Sequence, residues 1–269
     1  MWTRADLKRN AKIAFKRNWM VCAFACVITA LLGGEIFGGV TLQLQSNTSE
    51  GTATSYRSRI EQIMRGVSAE EMEMLATMAF AFLLAFVITF IVALAVQIFV
   101  GNVMTVGNRR FFMENREHRT EMNQLFWAFS GGRYQNVVRV MLVRMIKTFL
   151  WSLLFIIPGI IKSYEYMMVP YLLADNPQLD NKRAFELSRA MMTGHKWEAF
   201  VLGLSFAGWV LLGGFLMGIP NIVYTNPYMT ATFSEYYAAL KAEAMYKGVT
   251  NETELPGFRG PLPDIDVVL

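Results

Sequence analysis

LATMAFAFLLAFVITFIVALAVQIFVGNVMTVG, residues 75–107, contains no charged side chain. The hydrocarbon core of a bilayer is about 30 Å thick, and a helix needs roughly 20 apolar residues to cross it. This run meets that length, and residues 199–234 form a second stretch with no charge. The chain has 269 residues, 54% hydrophobic and 17% charged, more apolar side chain than a soluble core of this length absorbs. An all-α, polytopic transmembrane bundle is therefore expected, with about six crossings and short amphipathic helices on the cytoplasmic side.

Working outward, the net charge of +4 has no zinc spacing, RNA-binding aromatic motif or basic groove pattern to point it at nucleic acid. Positive loops on the cytoplasmic face account for it. Cys22 and Cys26 share one face of the first apolar segment and read as small core residues. His118 and His195 stand apart, with no nearby cluster of metal-ligating residues, so neither a metal nor another cofactor is expected. The basic N-terminus and the apolar run after it lack a small-residue cleavage site, which favours a retained crossing over a signal peptide.

Thr3 and Asp6 have the spacing of a capping box, and Leu7, Ala11, Ala14 and Phe15 form a stripe at helical period. Lys8, Arg9, Lys12, Lys16 and Arg17 surround that stripe, predicting a basic amphipathic helix on an anionic leaflet that ends at Trp19. A first crossing is expected over about 20–40. Residues 41–73 are polar and acidic and are placed outside. The second crossing, about 75–103, returns to Arg109, Arg110, Arg116 and Arg119, a charge that places this segment inside.

Met122, Leu125, Phe126 and Phe129 make a second short stripe before Gly131-Gly132, Arg133 and Tyr134. In the third crossing Arg139, Arg144 and Lys147 snorkel from the inner end. Pro158-Gly159 fits a type II turn, predicting a hairpin into a fourth crossing that ends near Ala174; a single Pro-kinked helix is the competing reading. Ala184, Leu187, Ser188, Met191 and Met192 form a third inner stripe, closed by Gly194 as a C-cap glycine. His195, Lys196 and Trp197 lead into a fifth crossing to about Ile219. Residues 220–227 form an outer turn, a sixth crossing runs to about Leu240, and the polar tail 241–269 is expected to be cytoplasmic and disordered. The transmembrane domain is thus 1–240, and both termini lie inside.

A basic residue beside an aromatic opens three of these hairpins, at Arg17-Asn18-Trp19, Gly132-Arg133-Tyr134 and His195-Lys196-Trp197. Two accounts fit: a threefold repeat of surface helix plus hairpin, or the ordinary flanks of helices entering from the cytoplasm. The seven residues Arg17, Trp19, Arg133, Tyr134, His195, Lys196 and Trp197 are the candidate contacts for anionic headgroups. Intramembrane ionisable groups are functional candidates in their own right. Glu35 falls near the outer interface, Glu165 can reach Lys162 at i, i+3, and Glu235 lies in a crossing rich in Thr, Ser, Asn and Tyr. Glu235 is expected to point inward and meet Arg144 or Lys147. The pairs Gly34 and Gly38, and Gly214 and Gly218, give GxxxG spacings for close helix packing, within the bundle or between two copies.

The run Ser188-Arg189-Ala190-Met191-Met192-Thr193-Gly194-His195-Lys196-Trp197, continuing through Leu204-Ser205-Phe206 to Gly208-Trp209, closely resembles the bacterial membrane family designated domain of unknown function 975. Leu150-Trp151-Ser152-Leu153-Leu154, Ile157-Pro158-Gly159-Ile160-Ile161-Lys162 and Pro170-Tyr171-Leu172-Leu173-Ala174-Asp175-Asn176-Pro177 carry the same resemblance. It implies a multi-pass protein of the bacterial plasma membrane with six helices, and supplies no activity or catalytic residue. No nucleophile–base–orienter set, phosphate-cradling loop or HExxH is present, so no enzyme activity is expected. The sequence reads as a non-catalytic protein that organises or senses envelope lipids, with a small-solute transporter or channel as the alternative.

Overall fold

A computed structural model of the chain describes residues 3–31, 69–215, 218 and 220–258. Glu35, Gly34, Gly38, most of the acidic loop 41–73 and the last residues of the tail lie outside that set. The described residues are helical, with no strand among them. They divide into two compact units, Met1–Gly39 with Val96–Leu269, and Val40–Ala95.

Helix α3, Ala69–Val96, makes up the described part of the second unit. At 1.5 Å per residue it is about 42 Å long. Phe80, Phe82, Phe86 and Phe90 are all exposed along it, and Thr77 satisfies its hydroxyl on the Glu73 carbonyl at 2.8 Å. A helix apolar on every side has no polar face for water. The helical run 72–117 and the span Lys196–Phe215 are the two described stretches long and apolar enough to cross a membrane, and Trp19–Thr29 is a shorter apolar helix. Helix length among the described residues thus supports membrane association but not six crossings.

In the first unit, α1 (Arg4–Arg17) begins with the capping box of Thr3 and Asp6 and buries Leu7, Ala11, Ala14 and Phe15. That stripe faces protein. The ring of Phe15 lies 5.7 Å from Tyr224 and 6.4 Å from Tyr228, and α1 packs on α11, Asn226–Tyr246. The leaflet expected beneath α1 is replaced by α11, whose residues Asn226 to Lys241 are almost all buried. Around it stand α2 (Trp19–Leu31), α4 (Asn102–Glu117) and α8 (Asn181–Met192). Cys22 and Cys26 are buried free thiols on α2. A π-helical turn, Gln97–Gly101, precedes α4, and a 3-10 helix, Met122–Phe129, follows it. Gly107 lets that 3-10 helix approach closely, since a Cβ there would lie 1.9 Å from the Leu125 carbonyl oxygen.

Helices α5 (Tyr134–Leu154) and α6 (Ile156–Glu165) form the expected hairpin. Gly159 abuts Ser152, Lys162 lies over Trp151, and Arg144 reaches the Tyr166 carbonyl. Contacts between residues whose numbers rise on one arm as they fall on the other require antiparallel arms, which rules out one kinked helix. The corner is Phe155, whose backbone is extended; Pro158 and Gly159 belong to the first turn of α6, where a missing N–H costs nothing. After a break at Tyr166–Met168 the chain resumes as α7, Val169–Asp175.

Helix α8 buries the third stripe and adds Phe185, and Gly194 ends it at φ 88°. Helices α9 (Lys196–Leu204) and α10 (Ala207–Phe215) follow. The turn expected at 220–227 falls earlier, because Gly218 takes φ 79°, Asn221–Thr225 is already a π-helical turn, and Pro227 sits in the first turn of α11. Gly218 is therefore off the helix, and it and Gly214 have open space where a Cβ would be. The close approach is at Gly213, where a Cβ would meet the Asn221 side chain at 2.1 Å. The boundary at 240 also moves. Helix α11 continues to Tyr246, Lys241 is 1% exposed, and Leu255 and Phe258 are buried, so the tail is folded through Phe258.

Candidate functional site

Helix α11 buries Asn226, Thr230, Thr232, Ser234, Glu235 and Lys241, and the three hydroxyls among them are satisfied within the helix. The hydroxyls of Thr230, Thr232 and Ser234 donate to the carbonyls of Asn226, Tyr228 and Thr230, the usual refuge of a hydroxyl inside a helix. Glu235 cannot be satisfied that way. It points inward as expected, but its partner is Arg116 of α4, not Arg144 or Lys147. The guanidinium donates from Nε at 2.8 Å and from a terminal nitrogen at 3.1 Å, and the two side chains are 2% and 1% exposed. Arg144 instead donates to the Tyr166 carbonyl at 3.2 Å, and Lys147 sits 3.7 Å over the Phe185 ring. On the same helix Arg109 is also buried, lies 5.1 Å over the Tyr171 ring, and has no hydrogen-bond partner at Nε.

Asp175 ends α7 and gathers the tail. One carboxylate oxygen accepts from Tyr237 at 2.9 Å and Lys241 at 2.6 Å; the other accepts from the Gly257 N–H at 2.6 Å. Lys241 also donates to the Phe258 carbonyl. Arg183 grips Glu254 with two hydrogen bonds, at 2.6 and 3.0 Å, which holds the Glu254 carboxyl below its usual range despite some burial. Sequence reasoning missed this clasp, because an Asp before Asn-Pro reads as a turn and isolated Leu255 and Phe258 in a polar tail give no periodic signal.

Glu165, at the end of α6, is the centre of a larger cluster. It was expected to pair with Lys162, and does, at 3.0 Å. Arg189 from α8 adds a bond at 2.5 Å and Lys196 from α9 one at 3.1 Å. Lys147 of α5 is close enough to Arg189 for their like charges to interact. Three cations thus converge on one carboxylate, with Lys147 a fourth nearby. Beside them Trp197 is 70% exposed and stacks on Phe200, which meets Tyr164 edge-on.

The three junctions expected to be equivalent have different surroundings. Arg17 donates to the Asn115 and Arg116 carbonyls at the end of α4, with Trp19 exposed beside it. Arg133 donates to the Trp127 carbonyl and lies 4.5 Å over that ring, while Tyr134 donates to the Phe99 carbonyl. Among the described residues, Lys196 alone of the three cations pairs with a carboxylate. His195 bridges Glu198 at 2.8 Å and Glu243 at 3.1 Å, and Lys247 in turn donates to Glu243 at 2.6 Å. Burial lowers the His195 pKa, but the two carboxylates outweigh it and the net displacement is upward.

No curated protein and no solved structure matches the chain. The sequence profile described as "Protein of unknown function (DUF975)" matches residues 58–244, a stretch that holds Arg116 and Glu235, both arms of the α5–α6 hairpin and the whole Glu165 cluster. With more than half of its length covered, the chain belongs to the DUF975 family.

Proposed function

We propose that the chain is a multi-pass protein of the bacterial plasma membrane, both termini cytoplasmic, that organises or senses anionic envelope lipids without catalysing a reaction. The observation that carries this reading is where the exposed apolar side chains fall. Phe149, Leu150, Leu153, Leu154, Phe155 and Ile157 are exposed in one nearly continuous run, and Trp209, Leu211, Leu212 and Phe215 in another. Monomeric soluble proteins rarely leave apolar patches of that size facing water. Basic and aromatic residues stand at the base of both runs, as at a headgroup interface.

Native mass spectrometry of the protein purified with its lipids tests the reading. Retained phosphatidylglycerol or cardiolipin, in preference to neutral lipid, is the expected result; a lipid-free protein that stays soluble without detergent would sink it. The transport alternative has its own observation, the buried Arg116–Glu235 pair beside Arg109, since charged groups inside a bundle mark solute paths in transporters. Proteoliposomes separate the two: substrate-dependent flux supports transport, and its absence with lipid retention intact supports lipid organisation.

A further inference from the structure

We propose that the α5–α6 hairpin dips into the cytoplasmic leaflet and returns without crossing the bilayer, and that the cations around Glu165 grip the phosphate of anionic lipid headgroups at its base. The inference deepens the lipid reading and rests on the chain being embedded in a membrane. Its first support is depth. From the Phe155 corner to Lys162 is about 10 Å of helix, and to Glu165 about 15 Å, at 1.5 Å per residue. On the other arm Lys147 lies about 12 Å from the corner. A full crossing needs about 30 Å, so one leaflet offers about 15 Å of hydrocarbon. The exposed apolar residues stop where that leaflet would: Ile146, about 14 Å from the corner, on one arm, and Ile160 and Ile161 on the other.

Below that level the hairpin is built into protein. Arg144 bonds to the Tyr166 carbonyl, Tyr166 meets Phe185 of α8 edge-on at 5.0 Å, and Ser188 donates to the Glu165 carbonyl at 2.7 Å. Helix α8 could not pack there if that level were hydrocarbon, because its outer side carries Lys182, Arg183, Glu186 and Arg189. The second support is charge. Lys162, Arg189 and Lys196 against the single carboxylate of Glu165 leave a surplus of two positive charges, and Lys147 lies near Arg189. The side chains of Arg189 and Lys196, though bonded to Glu165, are 57% and 34% exposed and so open to a headgroup. The third is the aromatic level: Trp197, next to Lys196, is 70% exposed beside the cluster, where indoles favour the headgroup region.

The test uses full-length protein in proteoliposomes, with Cys22 and Cys26 replaced by Ala and one cysteine at Phe155. A membrane-impermeant maleimide is expected to label it from neither face, and a spin label there should read as deep, oxygen-accessible and shielded from a water-soluble nickel complex. Labelling from the outer face would show a crossing; labelling from the inner face would show a hairpin that stays in water. Either overturns the inference while leaving the protein membrane-embedded, which liposome flotation checks separately. For the headgroup half, Arg189→Gln with Lys196→Gln should lower phosphatidylglycerol retention about fivefold per charge removed, with phosphatidylcholine unchanged. Equal retention, or displacement of the lipid by millimolar inorganic phosphate, would overturn the assignment to a lipid headgroup.

Discussion

Glu235 shows what a buried charge demands. With both side chains at most 2% exposed, removing either member of the Arg116–Glu235 pair takes the buried counter-ion from the other, and breaking such a pair typically costs about 3–5 kcal/mol. Arg116→Met or Glu235→Leu alone should therefore lower the melting temperature sharply in detergent, and the double variant should recover much of the loss. Equal destabilisation by all three would mean that the pair does not act as a unit. Glu165 differs because it organises an excess of cations. Glu165→Gln makes the cluster more positive by one charge, so attraction alone would raise anionic lipid retention. A lower retention is expected, because Gln cannot hold three cations in place. His195 adds a pH dependence with a definite sign. Its pKa is raised in the fold by Glu198 and Glu243 against the pull of burial, so its stabilisation is complete below about pH 6.5 and is lost as pH rises through the folded value. Melting measured from pH 6 to 9 should fall across that window, and His195→Gln should flatten the slope.

Among the elements, amphipathic period was the most legible signal. The Thr3 capping box, the four buried positions of α1 and the stripe of α8 appear as the sequence predicts, since side chains three and four apart share a helix face whatever covers it. What covers it was not legible. A basic rim around an apolar stripe suits a leaflet and also suits a cytoplasmic surface helix lying on α11. The same limit hid the partner of Glu235, 119 residues from Arg116 in sequence. The reversal of the two arms was read correctly, but the second arm ends at Glu165 and not near Ala174, and the corner fell on Phe155, because Pro stabilises the first turn of a helix as readily as position i+1 of a turn. Close approach at Gly107 makes a prediction at this scale. A Cβ placed 1.9 Å from the Leu125 carbonyl oxygen must push the 3-10 helix off α4. Gly107→Ala is expected to cost about 1–3 kcal/mol, read as a lower melting temperature; an unchanged value would mean that this contact is not kept in solution.

For the whole molecule, the parity of membrane passages decides which side the tail occupies. A hairpin that crosses twice and one that dips and returns both leave the chain on the side it left, so the position of the C-terminus is independent of how deep Phe155 reaches. Only a single kinked passage between Tyr134 and Asp175 would invert it, and the antiparallel contacts of α5 and α6 exclude that. The clasp of Asp175, Lys241 and Gly257 fixes the tail to α7, so tail and inner loops must share one side. In the proposed topology the basic residues Arg109, Arg110, Arg116 and Arg119 put that side in the cytoplasm. Glu252 is exposed on the tail, and Ser55 belongs to the acidic stretch expected outside. With Cys22 and Cys26 replaced by Ala, Ser55→Cys should label with an impermeant maleimide added to intact cells, and Glu252→Cys only after the membrane is opened. Labelling of both from outside would require an even number of passages between them, with the tail outside. Labelling of neither until the membrane is opened would require an even one, with the acidic stretch inside.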